Sequence, residues 1–574
     1  LYITRNMVMN AERLPQAEKG WDGRAMYQVY PHTFMEVRSE GEPHCGVGSL
    51  RGITEKAPYL HDLLGVGGIW ISPFYPSPMI DGGYDISDYT GIDPELGNLT
   101  DFFELLDTYH KRDMKVMIDL VPNHTSDQHP WFQQSRTSRD NGRADWYIWH
   151  DPAPDGGPPN NWSSVFSIPN LRARQNGTLI VPDGENTPPV SAWTYDEQRG
   201  QYYLRDFAAE QPNLNWQNPE VQAAIKEVMR TWIDRGVDGF RVDVANHLGK
   251  NPDFTDEEPN PDYREGADNP HDQYRFYHSL NYPDTLYPYL EELTSVCREY
   301  PERDLRMILE CWMPENDLVT VNHVAPDIAS AFNFTRLTAP WDGRTHQRLL
   351  DTYHDNLPDG AVPNQVRSNH DVPRVATRLG VAARSAAVLD LTLPGTIFIY
   401  NGEEGGFTNT NVALERRRDD ELGERDGART PMLWDNSTNA GFSRASPDTL
   451  WLPVDPNYET MNLAVQQADP KSSFSLYRAL LHLRRETPSL RYGDYHPLSS
   501  SHPDIVSFAR RHGREQTITL VNFAERPTTF DAHKTEQSIG RIILSSLNSA
   551  LNRMITLDGP ITLQPSEAVV IVQS

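Results

Sequence analysis

Eight short apolar runs recur along the chain, at residues 25–31, 65–72, 115–121, 237–244, 306–311, 328–334, 362–368 and 396–402, with helical patterns between them. Few of the runs alternate polar with apolar residues, which is how parallel strands covered on both faces read. The intervening segments carry helix signals. Asn218 can cap a helix with Pro219 at its first position. Val221, Ile225, Val228, Met229 and Trp232 then share one face, and Gly236 can end the helix. A last helix is expected over about residues 473–486, with Leu476, Leu480 and Leu483 on one side and Pro488 beyond. Eight strand–helix units predict an α/β architecture, a (β/α)8 TIM barrel.

Two interruptions and a tail depart from that rhythm. About 95 residues, 123–217, separate the third and fourth runs and are rich in Pro, Gly, Asn and Trp, so they read as an inserted domain B. A shorter insertion, 251–284, follows the fourth run. Beyond residue 490, runs 505–511 and 517–524 flank a turn at His512-Gly513, and 561–572 closes the chain. This reads as a C-terminal antiparallel β-sandwich domain. The expected division is barrel (1–122), insert (123–217), barrel (218–489) and β domain (490–574).

Charge narrows the partners. With 52 Lys+Arg against 80 Asp+Glu the net charge is −28, which repels nucleic acid and anionic bilayers but not a neutral small molecule. No apolar run reaches the roughly 18 residues of a membrane span, and residues 1–10 lack the apolar core of a secretion signal. Cys45, Cys297 and Cys311 lie too far apart for a disulfide framework or a paired-cysteine metal site, so a reducing cytoplasm is expected. Oligomeric state is not encoded in any feature of the sequence.

Barrel enzymes draw their chemistry from the C-terminal ends of several strands. Here the third run ends Asp119-Leu-Val-Pro-Asn-His124 and the fourth holds Arg241-Val-Asp243. The fifth ends Leu309-Glu310-Cys311-Trp312, and the seventh leads into Asn369-His370-Asp371. Three carboxylates, two histidines and an arginine at four strand ends can cleave a glycosidic bond, which needs one ionised and one protonated carboxyl about the scissile carbon. Arg241 and Asp243, two apart on a strand, share a face, so the guanidinium should hold Asp243 ionised as a nucleophile. Glu310, among apolar neighbours and facing other acids, suits the general acid. Asp371 would favour the positive charge of an oxocarbenium-like transition state.

These four segments resemble, in order, the signature regions of the α-amylase family of retaining glycoside hydrolases (glycoside hydrolase family 13), and the resemblance spans nearly the whole chain. It implies Asp243 as nucleophile, Glu310 as acid/base and Asp371 as transition-state stabiliser. It also implies Arg241, His124 and His370 as partners of the cleaved sugar, with Tyr84 as stacking aromatic and Asp85 as a carboxylate on that sugar. Gln211-Pro-Asn-Leu-Asn215 resembles a further family region. Residues 425–434, Arg-Asp-Gly-Ala-Arg-Thr-Pro-Met-Leu-Trp, resemble a stretch of α-glucosidases and oligo-1,6-glucosidases in which the second arginine pairs with the Tyr-Asp carboxylate. Arg429 and Asp85 would then close the pocket behind one terminal glucose, implying an exo-acting enzyme on short α-glucosides.

Val244, after the nucleophile, resembles the α-1,6-tolerant members, whereas Ala245–Lys250 is closer to maltose-type α-glucosidases. The same covalent intermediate would also serve an α-glucosyltransferase or a sucrose- or trehalose-isomerising enzyme. Non-catalytic relatives that accompany amino-acid transporters typically lack part of the acid set, and this chain keeps all three acids. The metal loop of many relatives is matched here by residues 40–53, where the Asp/Asn ligands are missing and Ser49 replaces the last Asp. No metal is expected there, because a hard cation wants six or more oxygens. Asn123 matches a calcium ligand of true α-amylases but is read as structural. No cofactor motif is present.

Overall fold

Each of the eight apolar runs contains a strand: Ala25–Val29, Gly68–Ile71, Lys115–Leu120, Gly239–Val242, Arg306–Leu309, Ala329–Ala331, Asn364–Val366 and Thr396–Tyr400. This computed structural model describes residues 20–573, apart from residue 22 and segments 167–189, 265–269, 420–424, 499–501, 532–538, 548–552 and 558. The expectation for residues 1–10 falls outside the described residues. The strands form one parallel sheet in the order seventh, eighth, first, second, third, fourth, fifth, sixth.

Among the described residues no ladder joins the sixth and seventh strands. Asn364 closes that seam with its side chain: Nδ2 donates to the Ala331 carbonyl (2.6 Å) and Ser330 Oγ (3.1 Å), and Oδ1 accepts from the Asn333 N–H (3.0 Å). The seventh strand starts late in its apolar run: Pro363 accepts from the Thr396 N–H (2.8 Å) but has no N–H to donate to a ladder.

Alternate residues of the strands fill the barrel. Met26, Trp70, Met117, Ile308, Phe332, Val366 and Phe398 pack together inside, while Ile69, Val116, Phe240 and Val242 face the surrounding helices. Helix Pro219–Arg235 forms as its signals predict. Asn218 Oδ1 accepts from the Glu220 N–H (2.9 Å), and Gly236 ends the helix at φ 114°, where a side chain would be strained. Its buried Trp232 packs on Phe74 and Phe102 and donates to the Tyr89 carbonyl (2.8 Å). Trp232→Ala would cost about 3–5 kcal/mol.

The two insertions stand together over the C-terminal ends of the strands. The first carries a three-stranded antiparallel sheet, Trp149–His150, Gln201–Leu204 and Trp193–Asp196. The second leans on it: Trp162 Nε1 donates to the Thr255 carbonyl (2.9 Å), and the Glu257 N–H donates to Asn161 Oδ1 (2.8 Å). At the C-terminus, a six-stranded antiparallel sheet is covered by the pair Thr528–Asp531 and Pro560–Leu563. Ile505, Ile518 and Leu520 of the larger sheet pack on Phe530, Ile561 and Leu563 of the smaller one, which makes the expected sandwich. Among the described residues no helix is long and apolar enough to cross a membrane.

Candidate active site

Arg241 organises the floor of a cavity at the C-terminal end of the barrel. It pairs in register with Asp119 on the third strand and Ile308 on the fifth, so its side chain rises between theirs. Nη1 donates to Asp119 Oδ1 (2.5 Å), Asp243 Oδ1 (2.7 Å) and Tyr84 Oη (3.2 Å), and Nη2 donates to Glu310 Oε2. Asp243 and Glu310 therefore sit on neighbouring nitrogens of one planar cation that is itself 1% exposed. Glu310 also accepts from Trp312 Nε1 (3.0 Å) and the Val244 N–H (3.1 Å).

One expectation needs correction. Arg241 does oppose protonation of Asp243, but burial outweighs it and Glu310 adds like charge, so the Asp243 carboxyl lies well above the usual carboxylate range. Burial also lifts Asp119 to about 6 against the pull of Arg241.

Asp371 contrasts with them. Burial alone would raise its carboxyl, yet it lies well below the usual range. Its Oδ1 accepts from Arg425 Nη1 (3.1 Å) and Arg429 Nη2 (3.0 Å). His370 Nε2 lies 3.3 Å from Oδ2, but burial drives that imidazole neutral, so the two guanidiniums keep Asp371 ionised. Gln28 Nε2 donates to His370 Nδ1 (2.8 Å), which puts the ring proton on Nε2, toward Asp371. Tyr84 stacks on His370 with centroids 5.2 Å apart. His124, lowered to about 3 by burial, faces the same cavity beside Gln211 (3.2 Å).

The clamp is not formed as the sequence motif implied. Asp85 is fully buried, and its carboxylate accepts from Ser77 Oγ (2.9 Å) and the N–H groups of Ile80 (3.0 Å) and Asp81 (3.1 Å). It ties down its own turn and does not line the cavity. Arg429 reaches Asp371 and the His370 carbonyl (2.8 Å) instead. The acid that faces the cavity is Asp81, and the arginine on it is Arg425 (2.7 Å), which is also held by Asp419 and touches Asp371. Gln211 Nε2 donates to Asp81 as well (3.0 Å). Sequence reasoning missed Asp81 and Arg425, each four positions before the residue chosen. The signal was the Gly82-Gly83 pair: both have positive φ (57° and 103°), and a Cβ on Gly82 would meet Arg429 Nη1 at 2.8 Å.

Val244 is a second residue with a role beyond its motif. Its φ of 35° is left-handed, a conformation that a β-branched residue adopts at a cost of about 1–3 kcal/mol. The strained turn aims its N–H at Glu310.

Asn123 is tied into a buried cluster, not a cation site. Its Nδ2 donates to Asp206 Oδ2 (3.0 Å), which also accepts from Asn213 (2.8 Å), His247 (3.1 Å) and Lys250 Nζ (2.9 Å). The Lys250 ammonium supplies the positive charge, so this donor set does not fit a divalent ion. In the 40–53 loop Ser49 caps helix Leu50–Glu55, accepting from the Gly52 N–H (3.1 Å).

A family model of the α-amylase catalytic domain matches residues 28–493. An oligo-1,6-glucosidase of Parageobacillus thermoglucosidasius is 35% identical over 558 residues, covering 89% of this chain and 91% of its own. A probable α-glucosidase of Rhizobium meliloti is 36% identical, covering 89% and 90%. The crystal structure of an α-glucosyl transfer enzyme superposes with a TM-score of 0.83 at 34% identity, covering 96% of this chain and 99% of its own. A trehalulose synthase variant superposes at 0.80 with 31% identity, covering 96% and 99%. With its barrel, its strand-end acids and these relatives, the chain belongs to the α-amylase family, in the α-glucosidase branch.

Proposed function

We propose that this enzyme is a retaining, exo-acting α-glucosidase of short α-glucosides, of maltose or isomaltose type. The observation that carries this reading is the pairing of Asp243 and Glu310 on one buried guanidinium, with the ionised Asp371 facing the same cavity. Glu310, as general acid, delivers a proton to the glycosidic oxygen as Asp243 attacks the anomeric carbon. Arg241 stays between them and stabilises the nucleophile. Asp371, held ionised, favours the positive charge that grows on the ring. Water, deprotonated by Glu310, then releases glucose with its configuration retained. Asp81, Tyr84, His124, His370 and Arg425 surround the glucose, and the Asp81–Arg425 pair closes the cavity behind it, which limits cleavage to one terminal unit.

Transfer to a sugar hydroxyl uses the same intermediate, and the likeness to an α-glucosyl transfer enzyme favours it as a second outcome. The three free cysteines suit a reducing compartment such as the cytoplasm. The test is a set of initial rates on maltose, isomaltose, sucrose, trehalose and starch, with the first-released anomer followed by NMR. The expected result is α-glucose from the disaccharides and little from starch. β-Glucose, or internal cleavage of starch, would overturn the reading.

A further inference from the structure

A second cavity opens at the other end of the barrel, where the chain enters the first three strands. Its volume is about 240 Å³, and its walls include Ala25 at the start of the first strand, Gly67 just before the second and Asp113 shortly before the third. Arg24, Arg112, Arg484, Arg485 and Arg491 surround it, with His61 beside them. The whole chain carries 80 Asp+Glu against 52 Lys+Arg, so an ordinary stretch of its surface offers more acids than bases. Here the balance is reversed: five arginines line the cavity with one carboxylate, Asp113.

Much of what holds these arginines is uncharged. Arg484 is buried, and its guanidinium donates to the carbonyls of Gly23 (3.1 Å), Leu391 (3.0 Å), Leu393 (2.7 Å) and Gly395 (2.6 Å). Carbonyls orient a cation but carry no net charge. Arg112 donates to the Thr108 carbonyl (2.9 Å) and Arg485 to His482 Nδ1 (3.0 Å), while Arg491 lies 4.9 Å from the centre of the Tyr492 ring. Among the described residues no carboxylate pairs with these last three. Arg24 donates to Asp113 Oδ2 (3.1 Å) and to the Asp113 carbonyl (2.7 Å), but that carboxylate is 90% exposed, which makes the pair weak. Asp62, paired with His61 at 2.6 Å, is also exposed.

Gathered guanidiniums repel one another, and a bound anion relieves that repulsion. Their planar forks match the oxygens of a phosphate group. The volume falls below the roughly 300–1,000 Å³ of sites that enclose a whole drug-sized ligand, so the cavity takes a phosphate or diphosphate group and leaves the rest of the ligand outside. A long polyanion would meet the −28 charge of the whole chain and be repelled, whereas a small one need approach only this face.

We infer that the cavity at the base of the barrel binds a phosphate-bearing small molecule, with Arg112, Arg485 and Arg491 at its mouth and the buried Arg484 at its floor. It lies at the opposite end of the strands from Asp243 and Glu310 and takes no part in glycoside cleavage. Because its walls are the segments that lead into three strands, the bound anion braces the closed end of the barrel and stabilises the folded state by linkage.

Pyrophosphate is the probe, titrated into the enzyme by calorimetry at fixed ionic strength. The expected result is one pyrophosphate per chain with submillimolar affinity, and a melting temperature that rises with its concentration. Arg112→Gln, Arg485→Gln and Arg491→Gln should each weaken binding about tenfold, the scale of one hydrogen bond to a charged group, with glucoside hydrolysis unchanged. Arg541→Gln, exposed on the C-terminal sheet, should leave the affinity as it was. Glucose 6-phosphate and ADP, titrated into the wild type and the same variants, separate the sources of the phosphate: the probe bound most tightly shows whether a sugar, a nucleoside or the inorganic ion carries it. No binding at millimolar pyrophosphate, equal affinity in the wild type and the three cavity variants, or sulfate bound as tightly as pyrophosphate would overturn the inference.

Discussion

Two sets of carboxylates lie at the C-terminal end of this barrel, one half-buried and one buried, and the protein treats them in opposite ways. Asp371 faces the guanidiniums of Arg425 and Arg429 and is held well below the usual carboxylate range. Glu403, just past the eighth strand, is more enclosed and faces the Tyr477 hydroxyl (2.8 Å), and burial pushes it up to about 8. Its neighbour Glu404 takes hydroxyls from Tyr27 (2.8 Å) and Tyr59 (2.7 Å) and is likewise raised. Burial neutralises an acid unless a cation is placed against it. Arginines stand where the chemistry needs charge, and tyrosines serve where only packing is needed.

The contrast is broken most severely at Arg241. Arg241→Met would leave Asp119, Asp243 and Glu310 without their shared cation, so denaturant unfolding should show a loss of about 3–5 kcal/mol, with turnover abolished. Asp371→Asn should keep the fold and lower kcat by about 10²–10³, the scale of losing one electrostatic stabiliser; an unchanged rate would mean that its ionisation is incidental. Glu403→Gln reads the other half. Because the folded pKa of Glu403 lies above its unfolded value, the native state binds the extra proton. Stability should fall as pH rises from about 4.5 through about 8 and level off above. The Gln variant should remove that slope, gaining about 2–4 kcal/mol at pH 8.5 with activity retained. Smaller still, Arg425→Lys should raise KM about tenfold by replacing a fork that spans three carboxylates with a point charge. Asp85→Asn should alter thermal stability more than KM. The reverse order of these last two would restore the pairing implied by the motif.

All eight barrel strands were legible because each is an apolar run set between helix signals, and the acids were legible because strand ends fix their direction. The closure at Asn364 was not, since a side chain that zips two three-residue strands leaves no periodic trace. Nor was the choice between Asp81 and Asp85, or between Arg425 and Arg429. Each motif offers two like residues four apart, and only the folded turn with Gly82 and Gly83 decides which one meets the ligand. The upward pull on the Asp243 carboxyl was not legible either, because the guanidinium was visible in the sequence, whereas the depth of burial and the nearness of Glu310 exist only in the fold.

The central claim is that Asp243 attacks the anomeric carbon while Glu310 expels the leaving group. Incubation with a slow fluorinated α-glucosyl donor, followed by peptide mass spectrometry, tests it directly. The account predicts one added glucosyl on the peptide carrying Asp243, formed in the wild type and absent in Asp243→Asn. A label on any other side chain, or turnover with no trapped adduct and inverted product, would contradict it.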